Sequence, residues 1–161
     1  MRRYLKTDEW NIIEDEFHAD DLRMSESIFS LGTGRFGQRG TFEEPYSSDS
    51  YPGSFVAGIP FLDKTRVAWW KNGFPRFYTR IPNAANWSSI HLRLIDEELD
   101  LALWDVNSFN RRLDMYDGIS YRDVKATSPR GNSLQVHVEH LVNMAHPDLC
   151  LIRYSVTSLN Y

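Results

Sequence analysis

The residues most suggestive of chemistry form a glycine-rich run at positions 32–37, GTGRFG, which satisfies the GxGxxG pattern of dinucleotide-binding loops. Such a loop needs a preceding parallel strand and a following helix whose N-terminus meets the pyrophosphate. The residues that follow at 38–45, QRGTFEEP, offer no apolar helical face and stop at proline. We therefore expect the glycines to serve backbone packing, through positive φ or close approach between strands. They are Gly32, Gly34, Gly37 and Gly40.

Two pairs of adjacent carboxylates, Glu43-Glu44 and Glu97-Glu98, could be proposed as a general acid and base. Neighbouring side chains on an extended chain point to opposite faces, so neither pair converges on one bond. We expect solvated turn charges at both pairs, with Arg39 and Glu43 forming a local ion pair. Catalytic residues are therefore not assigned to this chain.

Asp114 stands just before a turn at Asp117-Gly118. Aspartate at such a position accepts hydrogen bonds from the turn backbone, so we expect a structural acceptor rather than an acid. Gly118 would supply the turn conformation.

Metal-binding residues do not converge in the sequence. His137 and His140 are three positions apart in a strand, which places their side chains on opposite faces. Cys150 is the single cysteine, which excludes an internal disulfide and a cysteine-based zinc site. Neither a metal nor another cofactor is predicted.

Tryptophan is the residue type that could recognise a sugar. Trp69 and Trp70 are adjacent, so in a strand one ring can fill the core while the other faces outward and stacks on a pyranose. Trp87 and Trp104 are further candidates. Core packing, or docking against another domain, is the competing and favoured interpretation.

The elements that must position these residues are predicted to be strands. Residues 91–101 alternate as a hairpin around an acidic turn at 96–98, and residues 134–140 alternate after a turn at 128–132. Residues 149–156 are denser in apolar side chains, which predicts a central strand covered on both faces. Residues 7–17 fit a strand better than a helix. The fold class predicted is all-β, an antiparallel layered sheet.

Composition narrows the functional class. The chain has 161 residues, of which 42% are hydrophobic, 25% charged and 14% aromatic, as expected of a globular domain rich in strands. A net charge of −4 is a poor match to nucleic acid. Apolar runs are too short for a secretory signal or a membrane span. We expect a cytoplasmic chain with neither nucleic-acid nor membrane partners.

Four segments in order resemble the N-terminal region of family 65 glycoside phosphorylases and hydrolases, which include maltose, trehalose and kojibiose phosphorylases. The first is residues 27–44, SIFSLGTGRFGQRGTFEE, and the others are Ile81-Pro82-Asn83 with Asn86-Trp87, RRLDMYDG at 111–118, and IRYSVTSLN at 152–160. Together they span most of the chain, from residue 27 to residue 160. The motif residues to which the resemblance gives structural roles are Gly32, Gly34, Gly37, Arg39, Gly40, Glu43, Glu44, Asp114 and Gly118.

The resemblance implies a β-sandwich of the supersandwich, galactose-mutarotase-like type, followed by a catalytic (α/α) barrel in the same polypeptide. It implies inverting phosphorolysis or hydrolysis of α-glucosidic disaccharides or oligosaccharides, with phosphate or water attacking opposite a carboxylic acid. Those catalytic groups would lie in the barrel. Residues 1–161 would then be a truncated N-terminal domain that supports the barrel and oligomerisation, and an autonomous carbohydrate-binding module is the alternative.

The chain departs from the family pattern at two positions. Thr33 stands where asparagine is common, which removes an amide able to cap the turn, and His140 stands where arginine is frequent, which weakens a charge contact. A strand at 149–156 that normally pairs with later strands would have an open edge here. We therefore expect a homodimer or a sheet extended across a contact.

Overall fold

The computed structural model describes residues 4–66 and 75–160. The described residues form thirteen strands, one 3₁₀ turn and one short α-helix. The helix α1 spans Leu22–Ile28 and follows the 3₁₀ turn Ala19–Asp21. No helix in these ranges is long and apolar enough to cross a bilayer. The all-β, antiparallel sandwich prediction is confirmed.

Six strands form the main sheet in the order β1-β2-β10-β11-β12-β13, with every neighbouring pair antiparallel. Their bounds are β1 Lys6–Thr7, β2 Asn11–Glu14, β10 Asp105–Asp114, β11 Ile119–Thr127, β12 Ser133–Val142 and β13 Cys150–Ser158. The strand favoured within residues 7–17 is thus present as β2, and the alternating strand at 134–140 lies within β12.

Three smaller sheets accompany it. Strands β3 Leu31–Gly32, β4 Phe36–Gln38 and β5 Ser54–Val56 form one sheet, β6 Phe61–Lys64 and β7 Phe77–Arg80 form a hairpin, and β8 Arg93–Leu94 and β9 Glu97–Glu98 form another. The predicted hairpin at 91–101 therefore exists, but its turn lies at residues 95–96 because Glu97 and Glu98 pair within it. Ile95 adopts the left-handed region at φ 57° in that turn.

One expectation about the main sheet is wrong. The strand at residues 149–156 is not central, because β13 is the terminal strand of the sheet within the described residues. Leu151 on its outer face is 48% exposed, and Val156 on its inner face is 44% exposed. Among the described residues, β13 pairs with β12 on one side alone.

The core lies on the inner face of the main sheet. Alternate residues of the long strands face a second layer built by α1, Phe42 and the segment 94–104. The buried cluster comprises Leu22, Phe42, Leu94, Leu99, Leu101, Trp104, Phe109, Val124, Ala126, Leu134, Val136 and Val138. Every second residue of a strand faces this core, so its apolar side chains recur with a period of two, and this period predicts a strand from the sequence.

Candidate functional site

A row of residues crosses the inner face of five adjacent strands. The pairing register aligns Glu14 with Arg111, Arg111 with Arg122, Arg122 with Val138, and Val138 with Tyr154. Both arginines are buried, at 3% and 5% exposure. Burying a guanidinium costs free energy unless anionic groups surround it. Arg111 and Arg122 therefore each need a carboxylate partner.

Arg122 receives those carboxylates from the segment after the glycine run. Its Nη2 donates to Glu43 Oε2 and lies 2.8 Å from both carboxylate oxygens of Glu44. The hydroxyl of Tyr154 donates to Glu44 Oε1. The expectation of solvated turn charges at Glu43 and Glu44 is therefore wrong, because both carboxylates are buried against Arg122.

The network shifts the titration of its members. Burial acts to lower the pKa of Arg122, but Glu43 and Glu44 outweigh it and hold that pKa above its ordinary value. Burial and the nearby Glu44 carboxylate raise the pKa of Tyr154, so its phenol stays protonated as a donor. A fixed pattern of charges thus ties residues 43–44 to β11 and β13.

Arg111 is held in the same manner by β2 and the end of the glycine segment. Its Nε and Nη2 lie 2.9 and 2.5 Å from Glu14 Oε2, and its Nη1 donates to the Gly40 carbonyl at 2.8 Å. The guanidinium also lies 4.6 Å from the ring centroid of Phe29. Ser25 of α1 donates to the other Glu14 oxygen at 2.8 Å, so one ion pair joins β2, β10, α1 and the loop at Gly40.

Arg39 does not pair with Glu43, which corrects the predicted local ion pair. Its guanidinium lies 3.6 Å from Glu26 and donates to the carbonyls of Tyr51 and Arg23 at 2.6 and 3.0 Å. The Glu43 carboxylate points inward to Arg122 instead, because the buried guanidinium of Arg122 is stabilised by a carboxylate beside it. Arg39 thereby ties the loop at residues 50–53 to α1.

The positions of the motif glycines differ in how strongly they require glycine. A Cβ at Gly40 would lie 2.7 Å from both the Cβ and the carbonyl oxygen of Phe29, so only glycine fits there. Gly34 has φ +81°, which favours glycine for conformational reasons. Gly118 takes φ +69° in its turn, whereas Gly37 has open space around the position of a Cβ.

The hydrogen bonds of Asp114 agree with the turn role expected of it. Its Oδ1 accepts from the backbone N–H groups of Tyr116 and Asp117 at 3.0 and 3.1 Å. Its Oδ2 accepts from Arg112 Nη1 at 2.8 Å. The backbone hydrogen bond from Asp117 is the main reason that the pKa of Asp114 lies below its usual range.

The histidines of β12 face opposite sides, as the spacing predicts. His137 contacts Asp123 at 2.8 Å and Glu139 at 3.2 Å on the outer face. His140 lies on the inner face, where its Nε2 is 3.2 Å from Glu43 Oε1 but is not aligned for a hydrogen bond. Among the described residues, no group of three or more His, Cys, Asp or Glu side chains is placed to hold a metal ion.

The tryptophan candidates separate into three situations. Trp69 and Trp70 lie outside the described residues. Trp104 is 6% exposed within the core cluster, which agrees with the favoured interpretation of core packing and removes it as a candidate for sugar stacking. Trp87 is 37% exposed and lines an open cleft of about 860 Å³.

The cleft is lined by segments that are far apart in the chain. Its wall joins β4 and β5 to the turn before β13, and it includes Phe36, Val56, Trp87, Leu149 and Cys150. Sequence reasoning missed it as a site because its walls come from segments more than 110 residues apart in the chain. The order of the family motifs gave no indication that residues 33–36 and 147–150 meet.

Comparison with known proteins places the chain in a family. Residues 12–161 match the model of the glycosyl hydrolase family 65 N-terminal domain. The chain is 37% identical over 158 residues to maltose phosphorylase of Bacillus subtilis (strain 168), covering 98% of this chain and 21% of that protein. It is 31% identical to α,α-trehalose phosphorylase of Thermoanaerobacter brockii, covering 96% of this chain and 20% of that protein.

A solved structure agrees with the sequence matches. That protein is assigned as a kojibiose phosphorylase from the human microbiome. This chain superimposes on it with a TM-score of 0.85 at 30% sequence identity. The match covers 97% of this chain and 21% of that one. The chain thus spans about a fifth of the length of the relatives it matches. With the family model matched over residues 12–161, the chain belongs to glycosyl hydrolase family 65 as its N-terminal domain.

Proposed function

We propose that residues 1–161 are the accessory N-terminal β-sandwich of an enzyme that cleaves α-glucosidic disaccharides by inverting phosphorolysis or hydrolysis. The catalytic groups would lie in an (α/α) barrel of the same polypeptide, which the sandwich supports and helps to assemble as a homodimer. Disaccharide or oligosaccharide and phosphate would be substrates of that whole enzyme. The cytoplasm is the proposed location of that enzyme.

The observation that carries this proposal is the surface of the β6–β7 hairpin. Six large apolar side chains on and beside it are about half exposed or more: Ile59, Phe61, Leu62, Phe77, Tyr78 and Ile81. A two-stranded hairpin is marginally stable by itself, and these side chains do not join the buried core cluster. The pairing register puts Leu62 and Phe77 on one face of the hairpin and Phe61 and Tyr78 on the other, so exposed apolar side chains lie on both faces. Exposed apolar surface of this kind is typical of a docking site on a larger assembly.

Charge distribution favours a protein partner with an acidic surface. Residues 59–81 carry five Lys or Arg side chains and one Asp, whereas the whole chain has a net charge of −4. The remainder of the chain is therefore acidic, and a second copy would offer a complementary surface. Within the described residues β13 is the terminal strand of the main sheet, and a strand in that position can pair with another strand.

The test uses the complete enzyme with paired surface variants. Leu62→Ser with Phe77→Ser removes two side chains that each contribute about 1.5–3 kcal/mol when fully buried. We expect faster thermal inactivation and a shift from dimer to monomer in size-exclusion chromatography. Leu103→Ser with Met144→Ser changes side chains of similar exposure elsewhere and should leave both properties intact. Equal behaviour of the two double variants would contradict the docking role.

Carbohydrate binding by the domain itself is a second candidate function. The half-exposed ring of Trp87 in the open cleft is the observation that favours it.

A further inference from the structure

Trp87 is held as a rigid platform at the cleft. Its Nε1 donates to Gln38 Oε1 at 3.1 Å, which fixes the orientation of the indole. The imidazole of His140 stacks against it with ring centroids 5.9 Å apart and planes inclined by 26°. Phe36 meets it edge to face at 5.7 Å. These three contacts fix the Trp87 side chain, so little side-chain entropy is lost when a ligand binds to it.

The buried charge network supports this platform from behind. His140 lies beside Glu43, whose carboxylate is anchored by Arg122. Burial lowers the pKa of His140, so a neutral imidazole stacks on the indole near neutral pH. The motif residue Glu43 therefore acts indirectly on the position of the Trp87 ring.

Small residues give the rest of the cleft its width. Ala57, Gly58, Ala84 and Ala85 line the wall together with Ser54. Backbone hydrogen bonds from Ala57 to Arg35 and from Ala84 to Ser54, both 2.7 Å, hold these segments in place. A volume of about 860 Å³ lies within the roughly 300–1,000 Å³ range of small-molecule sites.

A charged pair stands at the rim of the same cleft. Arg35 Nη1 lies 3.2 Å from Asp148 Oδ1, and both side chains are largely exposed. The pair is positioned by Thr33, whose hydroxyl donates to the Pro147 carbonyl and accepts from the Phe36 N–H, each at 3.2 Å. The threonine therefore keeps a side-chain cap on this turn, which corrects the expectation that the cap is lost.

The chemistry of the lining selects a class of ligand. Arg35 and Asp148 are the charged residues among those that line the cleft, and their charges cancel. A phosphate or other anion gains nothing from such a pair. A ligand with a flat apolar face and several hydroxyls matches an aromatic platform flanked by donors and acceptors.

We propose that the Trp87 cleft binds a neutral pyranose, with its C–H face on the indole and its hydroxyls directed to Arg35 and Asp148. The inference deepens the second candidate function and does not depend on support of a barrel. Its failure would leave the docking role of the β6–β7 hairpin untouched, because that role is measured by assembly.

Cys150 offers a direct report on occupancy, because it is the single cysteine of the chain and lines the cleft. The test measures the rate of maleimide addition to Cys150 in residues 1–161 while maltose or methyl α-glucoside is titrated. We expect saturable protection with a Kd on the order of 1 mM, as suits a small open site. Sorbitol serves as the control for viscosity and for hydroxyl groups without a ring.

Variants locate the effect. Trp87→Ala should weaken protection about tenfold, which equals 1.4 kcal/mol. Asp148→Ala removes a largely exposed group without disturbing the fold and should also weaken protection several-fold. Trp10→Ala, at 46% exposure and outside the cleft lining, should bind as the parent does.

Two results would overturn the proposal. One is protection that fails to saturate at sugar concentrations about a hundredfold above that Kd. The other is protection that Asp148→Ala and Trp87→Ala leave unchanged while both variants keep the circular dichroism spectrum of the parent.

Discussion

Arg122 of β11 and Glu44 of the segment after the glycine run meet in the interior, with Nη2 at 2.8 Å from each carboxylate oxygen. The two residues are 78 positions apart, and both are at most 5% exposed. Their contact fixes the second layer to the main sheet, and through Glu43 and His140 it reaches the back of Trp87. Stability and the shape of the cleft therefore depend on the same buried charges.

Removal of the Arg122 charge should destabilise the fold strongly. Arg122→Met leaves Glu43 and Glu44 buried without a cation, and breaking a buried pair in this manner costs about 3–5 kcal/mol. The matched control is Arg153→Met, whose side chain is 72% exposed and pairs with Glu139 on the outer face. It should cost at most about 1 kcal/mol. Urea unfolding measures both, and equal losses would show that the buried network is not stabilising.

Substitution at Gly40 should be much more damaging than at Gly37. An added Cβ at Gly40 meets the carbonyl oxygen and Cβ of Phe29 at 2.7 Å, so the loop after β4 and the end of α1 must move apart, at a cost of about 1–3 kcal/mol. Gly37→Ala adds a methyl in open space, and we expect a change within about 1 kcal/mol. Thermal unfolding of the two alanine variants compares them. A Gly40→Ala protein as stable as the parent would contradict the close approach seen here.

The two histidines of β12 should titrate on opposite sides of the ordinary value of about 6.5. The hydrogen bond to Asp123 is the main cause that raises the pKa of His137. Burial is the main cause that lowers the pKa of His140. Histidine NMR titration should resolve the two, with Asp123→Asn lowering the pKa of His137 alone. A shared midpoint would contradict the contrast in environment.

These shifts have opposite consequences for stability. The contribution of His137 is fully present below about pH 6.5 and is lost as pH rises through its raised folded pKa. His140 is favoured as the neutral form, so its contribution is lost as pH falls from about 6.5 towards its lowered folded pKa. The free energy of unfolding is measured between about pH 5 and pH 8, roughly one and a half units either side of the ordinary histidine pKa. We expect His137→Gln to remove its pH dependence above about pH 6.5 and His140→Gln to remove its pH dependence below about pH 6.5.

The strands could be predicted from sequence where one face is buried and the other is wet. In β12, the buried residues Leu134, Val136 and Val138 alternate with polar ones, so the pattern carries the fold directly. The position of β13 in the sheet could not be predicted in this way. The density of apolar residues in β13 is the same whether or not another strand lies beside it. Its position in the sheet depends on segments that are remote in the sequence, so the local pattern does not predict that position.

The charged residues were misread for a related reason. Local sequence around Glu43 and Glu44 has the appearance of an acidic turn, because their cation lies on a strand 78 and 79 positions later. Arg39 likewise finds Glu26 of α1 rather than a neighbour in the chain. The family resemblance predicts structural roles for these positions, whereas the local pattern does not indicate their partners.

The central claim is that residues 1–161 are a non-catalytic domain of a family 65 enzyme, and the release of β-glucose 1-phosphate tests it most directly. Maltose, trehalose and kojibiose are each incubated with phosphate and either the isolated chain or the complete enzyme, and both β-glucose 1-phosphate and free glucose are quantified so that phosphorolysis and hydrolysis are each detected. The account predicts no turnover by the isolated chain, even with its β-sheet circular dichroism intact, and turnover of one of these sugars by the complete enzyme. Phosphate-dependent product from residues 1–161 alone would contradict it.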